Sequence, residues 1–277
     1  MSFYRFEDFG RNYLTPNLSS GEGPVIEGQY MYFCNVFKEP GTGSELHYHP
    51  NELLIFPFYG VLNAIVGKDR RIVRPGTFVH APAFARHSMK ATEEGPLSYL
   101  YVKDQTWTVV GVAANEKPPE KALSIEEVNE KFEKGEIEDR KNKGTGSADE
   151  SQAIIEGLGN CYYPMLDSLD EPVRSAGRKF RVEGERLAFE FADIPPGTET
   201  PEFESAHEKF IYLMSGNLDA DVGGEKKSMG EGDIVQIRKG DAARMVAGNE
   251  APVRYAAVES MPYLEEKVDQ MRAEEGK

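Results

Sequence analysis

PGTGSELHYHPNELLIFPFYG (residues 40–60) and RIVRPGTFVHAPAFARHSM (residues 71–89) are the stretches against which the rest of the chain is read. His47 and His49 are two apart, so on a β-strand both imidazoles leave the same face and can reach one ion. His87 follows a turn-rich Ala81-Pro82-Ala83-Phe84-Ala85-Arg86 run, which lets an antiparallel neighbour bring a third nitrogen alongside. Three neutral imidazoles suit a divalent transition metal.

These intervals resemble those of the cupin family, a superfamily of β-barrels. Its first motif runs Gly, five residues, His-x-His, three or four residues, Glu, six residues, Gly, and is matched by Gly41, His47, His49, Leu53 and Gly60, with Leu53 in the Glu position. Its second motif runs Gly, five residues, Pro, x, Gly, two residues, His, three residues, Asn. Gly76, Pro82 and His87 keep their places, while Phe84 and Ala91 replace the small residue and the amide. The resemblance implies a jelly-roll barrel with a metal on His47, His49 and His87.

The chain has 277 residues, enough for two ordinary domains with sizeable cores. Its 32 Lys plus Arg stand against 47 Asp plus Glu, a net charge of −15, which repels a phosphate backbone and disfavours nucleic-acid partners. The start, MSFYRFEDFGRNYL, lacks a basic segment followed by an apolar one, and no run approaches the length of a membrane span. Cys34 and Cys161 form no CxxC pair, and a cytoplasmic location is expected.

Laying one half on the other at an offset of 156 residues exposes an internal repeat. Pro40-Gly41 falls on Pro196-Gly197, Gly60 on Gly216, Gly76 on Gly232 and Pro96 on Pro252. MYFCNVF, 31–37, falls on LAFEFAD, 187–193, and LSYLYV, 97–102, on VRYAAV, 253–258. Each copy reads as short strands punctuated by Gly and Pro turns, so the fold class expected is all-β, with two jelly-roll barrels in tandem, a bicupin in family terms. The expected bounds are 1–112 for the metal-binding domain, 113–150 for a charged, partly helical linker and 151–277 for a second domain without ligands. Ser124 with Glu127 forms a capping box, which predicts a helix over SIEEVNEKFEKG ending near Gly135. The remainder of the linker reads as solvated, and PYLEEKVDQMRAEEGK as a terminal surface helix.

At the offset of 156, His47, His49, Leu53 and His87 become Phe203, Ser205, Lys209 and Ala243, so the second copy has no ligand in register. A slipped strand could bring in His207, Glu202, Glu204 or Glu208, but a slip of one residue reverses every side chain. The second barrel is therefore expected to be structural, filled by Phe203 and neighbours, or to contribute a lid or a dimer surface, and a homodimer is the expected assembly.

With Leu53 in place of the carboxylate, a site of three imidazoles favours an anionic, chelating ligand. Glu52, one residue away, is a candidate fourth ligand or pocket residue. Its repeat mate is Glu208, in the copy without histidines, which suggests a structural role shared by both. His80 is a candidate catalytic hydrogen-bond partner for substrate, and Arg86 is expected to face outward. The site is similar to that of the two-domain, three-His ring-cleaving dioxygenases of gentisate and salicylate type, which implies Fe(II) and oxygen chemistry on a small oxygenated or aromatic, metal-chelating compound. Zn, Mn or Ni in the same site would serve instead a non-redox isomerase, lyase, cyclase or hydrolase. A third possibility is a non-catalytic small-molecule-binding cupin.

Overall fold

A computed structural model describes residues 1–137 and 158–275. The chain folds as two all-β units, each made of two antiparallel sheets. Glycine-rich turns and β-branched or aromatic strands dictate this arrangement, and each sheet turns one face inward to bury it.

In the first unit, one sheet runs in the order Tyr162–Pro164, Thr77–Ala81, Leu53–Tyr59, Leu97–Asp104, Met31–Lys38, Glu22–Gly23, Asn12–Tyr13. The facing sheet runs Val112–Ala113, His47–Tyr48, His87–Ala91, Leu62–Val66, Asp69–Val73. Alternate residues of each strand meet between them: Cys34 and Val36, Leu53 and Ile55, Val79 and Ala81, Tyr99 and Tyr101, with Ala64, Val66 and Met89 opposite.

The second unit repeats this plan. Its larger sheet runs Phe3–Arg5, Asp233–Ile237, Lys209–Ser215, Val253–Ser260, Leu187–Ile194, Arg178–Glu183, and the smaller one Phe203–Glu204, Ala242–Ala247, Leu218–Val222, Glu225–Met229. The offset of 156 holds residue by residue in the pairing. Val79↔Ile55 becomes Val235↔Ile211, Ala91↔Leu62 becomes Ala247↔Leu218, and His87↔His47 becomes Ala243↔Phe203. Even an irregularity is copied: the register slips opposite Pro57 in one copy and opposite Leu213 in the other. A bulge present with and without proline belongs to the sheet, and Pro57 merely occupies a place that needs no N–H.

The compact units are cut differently from the expected bounds. Met1–Phe9 and Glu27–Met31 belong with Asp170–Lys277, because Phe3, Tyr4 and Arg5 pair with Val235, Ile234 and Asp233. In the other direction Tyr162–Pro164 extends the first unit, pairing with Thr77–Val79. The expected boundary at 112 falls inside Val112–Ala113, which pairs with Tyr48 and His47.

The predicted helix spans Ile125–Glu133, with Ser124 Oγ accepting from the Glu127 N–H and the Glu127 carboxylate accepting from the Ser124 N–H. It docks against the first unit instead of floating: Asn129 donates to the Tyr13 carbonyl and accepts from its N–H, closing the edge of Asn12–Tyr13 as another strand would. The rest of the expected linker, including its Gly-Thr-Gly-Ser run, lies outside the described residues. The C-terminal helix Pro262–Glu275 buries Leu264 and Val268, so it is a docked element rather than a surface appendage.

Candidate metal centre

His47 and His87 are direct cross-strand neighbours, a position in which side chains on one face lie close together. His49 follows two residues after His47 and turns to the same interior. All three are buried, with ring centroids 4.5 Å apart for His47 and His87, 4.9 Å for His47 and His49, and 5.3 Å for His49 and His87. One nitrogen from each lies within 4.8 Å of the others.

His47 and His87 are oriented by short Nδ1 bonds to backbone carbonyls. His47 Nδ1–H donates to the Glu45 carbonyl at 2.7 Å and His87 Nδ1–H to the Ala85 carbonyl at 2.8 Å. These bonds fix the tautomer and leave each Nε2 with its lone pair, the arrangement a metal-binding histidine needs. Burial pushes His87 down to about 4. His47 is held well below the usual range by burial and then by His87, and His49 by burial and then by Lys103. The imidazoles are therefore neutral at physiological pH, the form that ligates. This donor set fits a divalent transition metal.

The Glu position of the first motif carries Leu53, whose cross-strand partner is Lys103. Lys103 is fully buried, and its Nζ lies 2.6 Å from His49 Nδ1 and 2.6 Å from the Val109 carbonyl that it donates to. Where the family motif places an anion, this chain has an apolar side chain and beside it a lysine amine. Burial holds Lys103 well below the usual lysine range. The backbone at Gly111 closes over the rings: a Cβ there would meet His47 Cδ2 at 2.7 Å and His49 Cε1 at 2.9 Å, so only glycine fits without a shift.

Glu52 and His80 pair with each other, Oε1 to Nε2 at 2.5 Å. Glu52 is not part of the converging group, and His80 sits between Val79 and Ala81, both of which face the core that contains Leu53. Alternation turns His80 to the opposite face, away from the three imidazoles. The second unit explains the pair. Glu208 there accepts from Gln236 Nε2 at 2.6 Å and from the Gln29 and Tyr30 N–H groups, and Gln236 is the repeat mate of His80. The backbone N–H of Glu52 donates to Asp104, and that of Glu208 to Ser260, again repeat mates. One buried polar device thus serves both copies. Arg86 faces outward as expected, with its guanidinium 4.4 Å from the Tyr48 ring and donating to the Ala114 carbonyl.

The C-terminal unit holds no equivalent centre; among the described residues the three-His group is the one convergence of potential ligands. Phe203 does not fill that barrel. It is 36% exposed, and the core is built instead from Ile211, Leu213, Val235 and Ile237. His207 is taken up by Glu265, Nδ1 to Oε1 at 3.1 Å.

Lys103 was the residue hardest to see in the sequence, yet a signal exists: Leu97, Tyr99, Tyr101 and Lys103 alternate along one strand, so the lysine falls on the inward face. Gly111 carries no such signal.

Both halves match the family model described as Cupin domain, over residues 37–103 and 190–259. No curated protein matches the chain by sequence. Among solved structures, the chain resembles oxalate decarboxylase of Bacillus subtilis, studied for its Mn(II) centres, with a TM-score of 0.62 at 16% identity over 94% of this chain and 77% of that one. It also resembles AerE from Microcystis aeruginosa, with a TM-score of 0.59 at 14% identity over 91% of this chain and 97% of that one. Likeness at these identities is likeness of fold. Among the described residues no helix is long and apolar enough to cross a membrane.

Proposed function

This chain is a two-domain member of the cupin superfamily, and on that premise we propose that it is a metal-dependent enzyme acting on a small, metal-chelating compound in its N-terminal barrel. The observation that carries the reading is the convergence of three buried, neutral imidazoles on one point, with Leu53 where the motif has a carboxylate. His47, His49 and His87 would hold the metal. With no protein anion in the set, an anionic chelator supplies the missing negative charge, which favours a carboxylate or enolate over a neutral substrate. Fe(II) is the metal in our first reading, and the reaction is a dioxygenation; when bound, iron supplies the redox chemistry such a reaction needs. The chain's own part is to hold three neutral donors in fixed orientation, through Glu45 and Ala85, and to keep bulk water out. The C-terminal barrel serves as scaffold, and a cytoplasmic homodimer with both cysteines reduced completes the proposal; Cys34 and Cys161 are buried and unpaired.

One observation favours a second reading. The fold is like that of an oxalate decarboxylase with Mn(II) centres, which supports a non-redox lyase using Mn(II) as Lewis acid on the same three donors.

Metal analysis of the purified protein, with His87→Ala as control, is the first test. One equivalent per chain, absent from the variant, is the expected result, and no metal in the unaltered protein would end both readings. Iron together with oxygen uptake on dihydroxybenzoates or keto acids supports the first. Manganese with anaerobic release of carbon dioxide from oxalate supports the second.

A further inference from the structure

The three-His centre is sealed. All three imidazoles are buried, and the cavity that His47 and His87 share with Lys38, itself 2% exposed, has a volume of about 20 Å³, enough for one water. A metal or a chelating substrate therefore reaches the ligands only when part of the wall moves. Most of that wall is sheet: Leu53–Tyr59, His87–Ala91 and Leu97–Asp104 are each paired with neighbouring strands, and displacing one of them breaks a ladder of backbone hydrogen bonds.

Residues 105–111 are the exception. They link Leu97–Asp104 to Val112–Ala113 without forming a strand or a helix. Gly111 closes the centre, its backbone so near the His47 and His49 rings that a Cβ would collide with both. Side chains hold the segment down. Asn51 Nδ2 donates to the Trp107 carbonyl at 2.9 Å, Lys103 Nζ to the Val109 carbonyl at 2.6 Å, and the Gly111 N–H to Thr15 Oγ1 at 3.0 Å. Such bonds are modest singly, so this part of the wall lifts at less cost than a strand. The copy without the histidines closes the same corner differently. At the offset of 156 the segment falls on residues 261–267, which begin the helix Pro262–Glu275, and Asn51 falls on His207, which holds Glu265 of that helix. One position of each barrel thus tethers whatever follows the last strand: a helix with its own backbone bonds where no ligand lies beneath, a loop ending in glycine where the ligands do.

We propose that residues 107–111 are a gate over the three-His centre, hinged at Thr106 and Val112, latched by Asn51, Lys103 and Thr15, and opened to admit metal and substrate. The fixed end is pinned to the sheet: the Asp104 carboxylate accepts from the Glu52 N–H at 2.6 Å and from the Thr106 N–H at 2.7 Å, so movement begins beyond Thr106. The inference rests on the reading of the centre as a metal site for what passes the gate, and not for whether the segment opens.

Trp107 is the chain's one tryptophan, so its fluorescence reports the segment alone. Acrylamide quenching is measured on the full-length, metal-free protein and on two variants that each remove a latch, Asn51→Ala and Thr15→Val. Both are expected to quench more readily, and Thr15→Val, which keeps the volume of its side chain, decides the matter if Asn51→Ala does not fold. Zinc uptake and release, followed with a chromophoric chelator, should both quicken by about fivefold, the effect of losing one hydrogen bond, with the dissociation constant unchanged. A gate moves both rates and not their ratio, whereas a residue that merely supports the ligands weakens binding. Quenching and exchange unchanged in the folded variants, or faster release alone, would overturn the proposal. The two readings fail separately. Unaltered protein that takes up no zinc ends the metal reading, and the gate is then judged on quenching; zinc held tightly, with rates indifferent to both latches, ends the gate alone.

Discussion

Lys103 and Glu259 occupy the same place in two copies of one sheet, each opposite the residue in the first motif's Glu position. In the N-terminal copy the pair is Leu53 and Lys103, and the lysine turns to His49. In the C-terminal copy it is Lys209 and Glu259, closed into an ion pair at 2.6 Å. The strands that the two copies share keep the same order, bulge and pairing register. The comparison teaches that this scaffold is indifferent to what these positions carry, since the barrel forms whether they hold imidazole and lysine or Ser205, Ala243 and Glu259. Function here is a matter of side chains placed on a frame that does not need them.

Transplanting the ligands is the strongest way to break that comparison. Phe203→His, Ser205→His and Ala243→His together should raise the metal content from one equivalent per chain to two, because Phe203↔Ala243 repeats the register of His47↔His87. Emission spectrometry on the purified variant reads this directly. A stoichiometry that stays at one would show that the outer rings, and not the register alone, build the centre.

Acid should separate the halves next. His87 sits at about 4 in the folded chain, against 6.5 in the unfolded one. The unfolded chain therefore takes up a proton first as pH falls. The stability that a neutral His87 represents is complete above 6.5 and is lost on descent to about 4. That loss is on the order of 3 kcal/mol for the metal-free protein. Denaturant titrations at pH 7 and pH 4.5 measure it, and His87→Phe should flatten the dependence.

A smaller effect is expected at Lys103. Lys103→Met removes an amine that sits 2.6 Å from His49 Nδ1, and should tighten metal binding roughly tenfold by freeing that ring from a competing hydrogen bond. Competition with a fluorescent chelator would show it; weaker binding in the variant would mean that the lysine supports the centre.

The smallest concerns Phe84. Its φ of 66° is left-handed, at the position where the family motif has glycine. Phe84→Gly should stabilise the protein by about 1 kcal/mol, relief of strain outweighing the entropy glycine adds to the unfolded chain. A melting curve checks this, with metal content unchanged.

The fold was legible because the repeat was: glycines and prolines fix turns, turns fix strand lengths, and Gly41, Gly60 and Gly76 reappear with positive φ beside Gly197, Gly216 and Gly232. The convergence of His47, His49 and His87 was legible for the same reason, since spacing on a strand is spacing in space. What sequence concealed depends on contacts between distant strands. Lys38 and Lys103 look like ordinary strand-end cations until their inward faces are known. The role of His80 could not be separated from catalysis without its partner Glu52. The domain bounds went astray because a strand of three residues, such as Phe3–Arg5, carries too little pattern to announce which sheet it will join.

That short strand has a consequence for how the molecule is made. Phe3 pairs with Val235, a partner made only after most of the described strands of both units. Closing so long a loop is slow by its entropy, so Phe3–Arg5 stays uncommitted until Asp233–Ile237 has been made. Meanwhile the Thr77–Ala81 edge stays open until Tyr162–Pro164 arrives to cover it. Cutting the gene at its visible seam would leave each product with an open edge and an orphaned ribbon, and the two pieces should become soluble only when produced together.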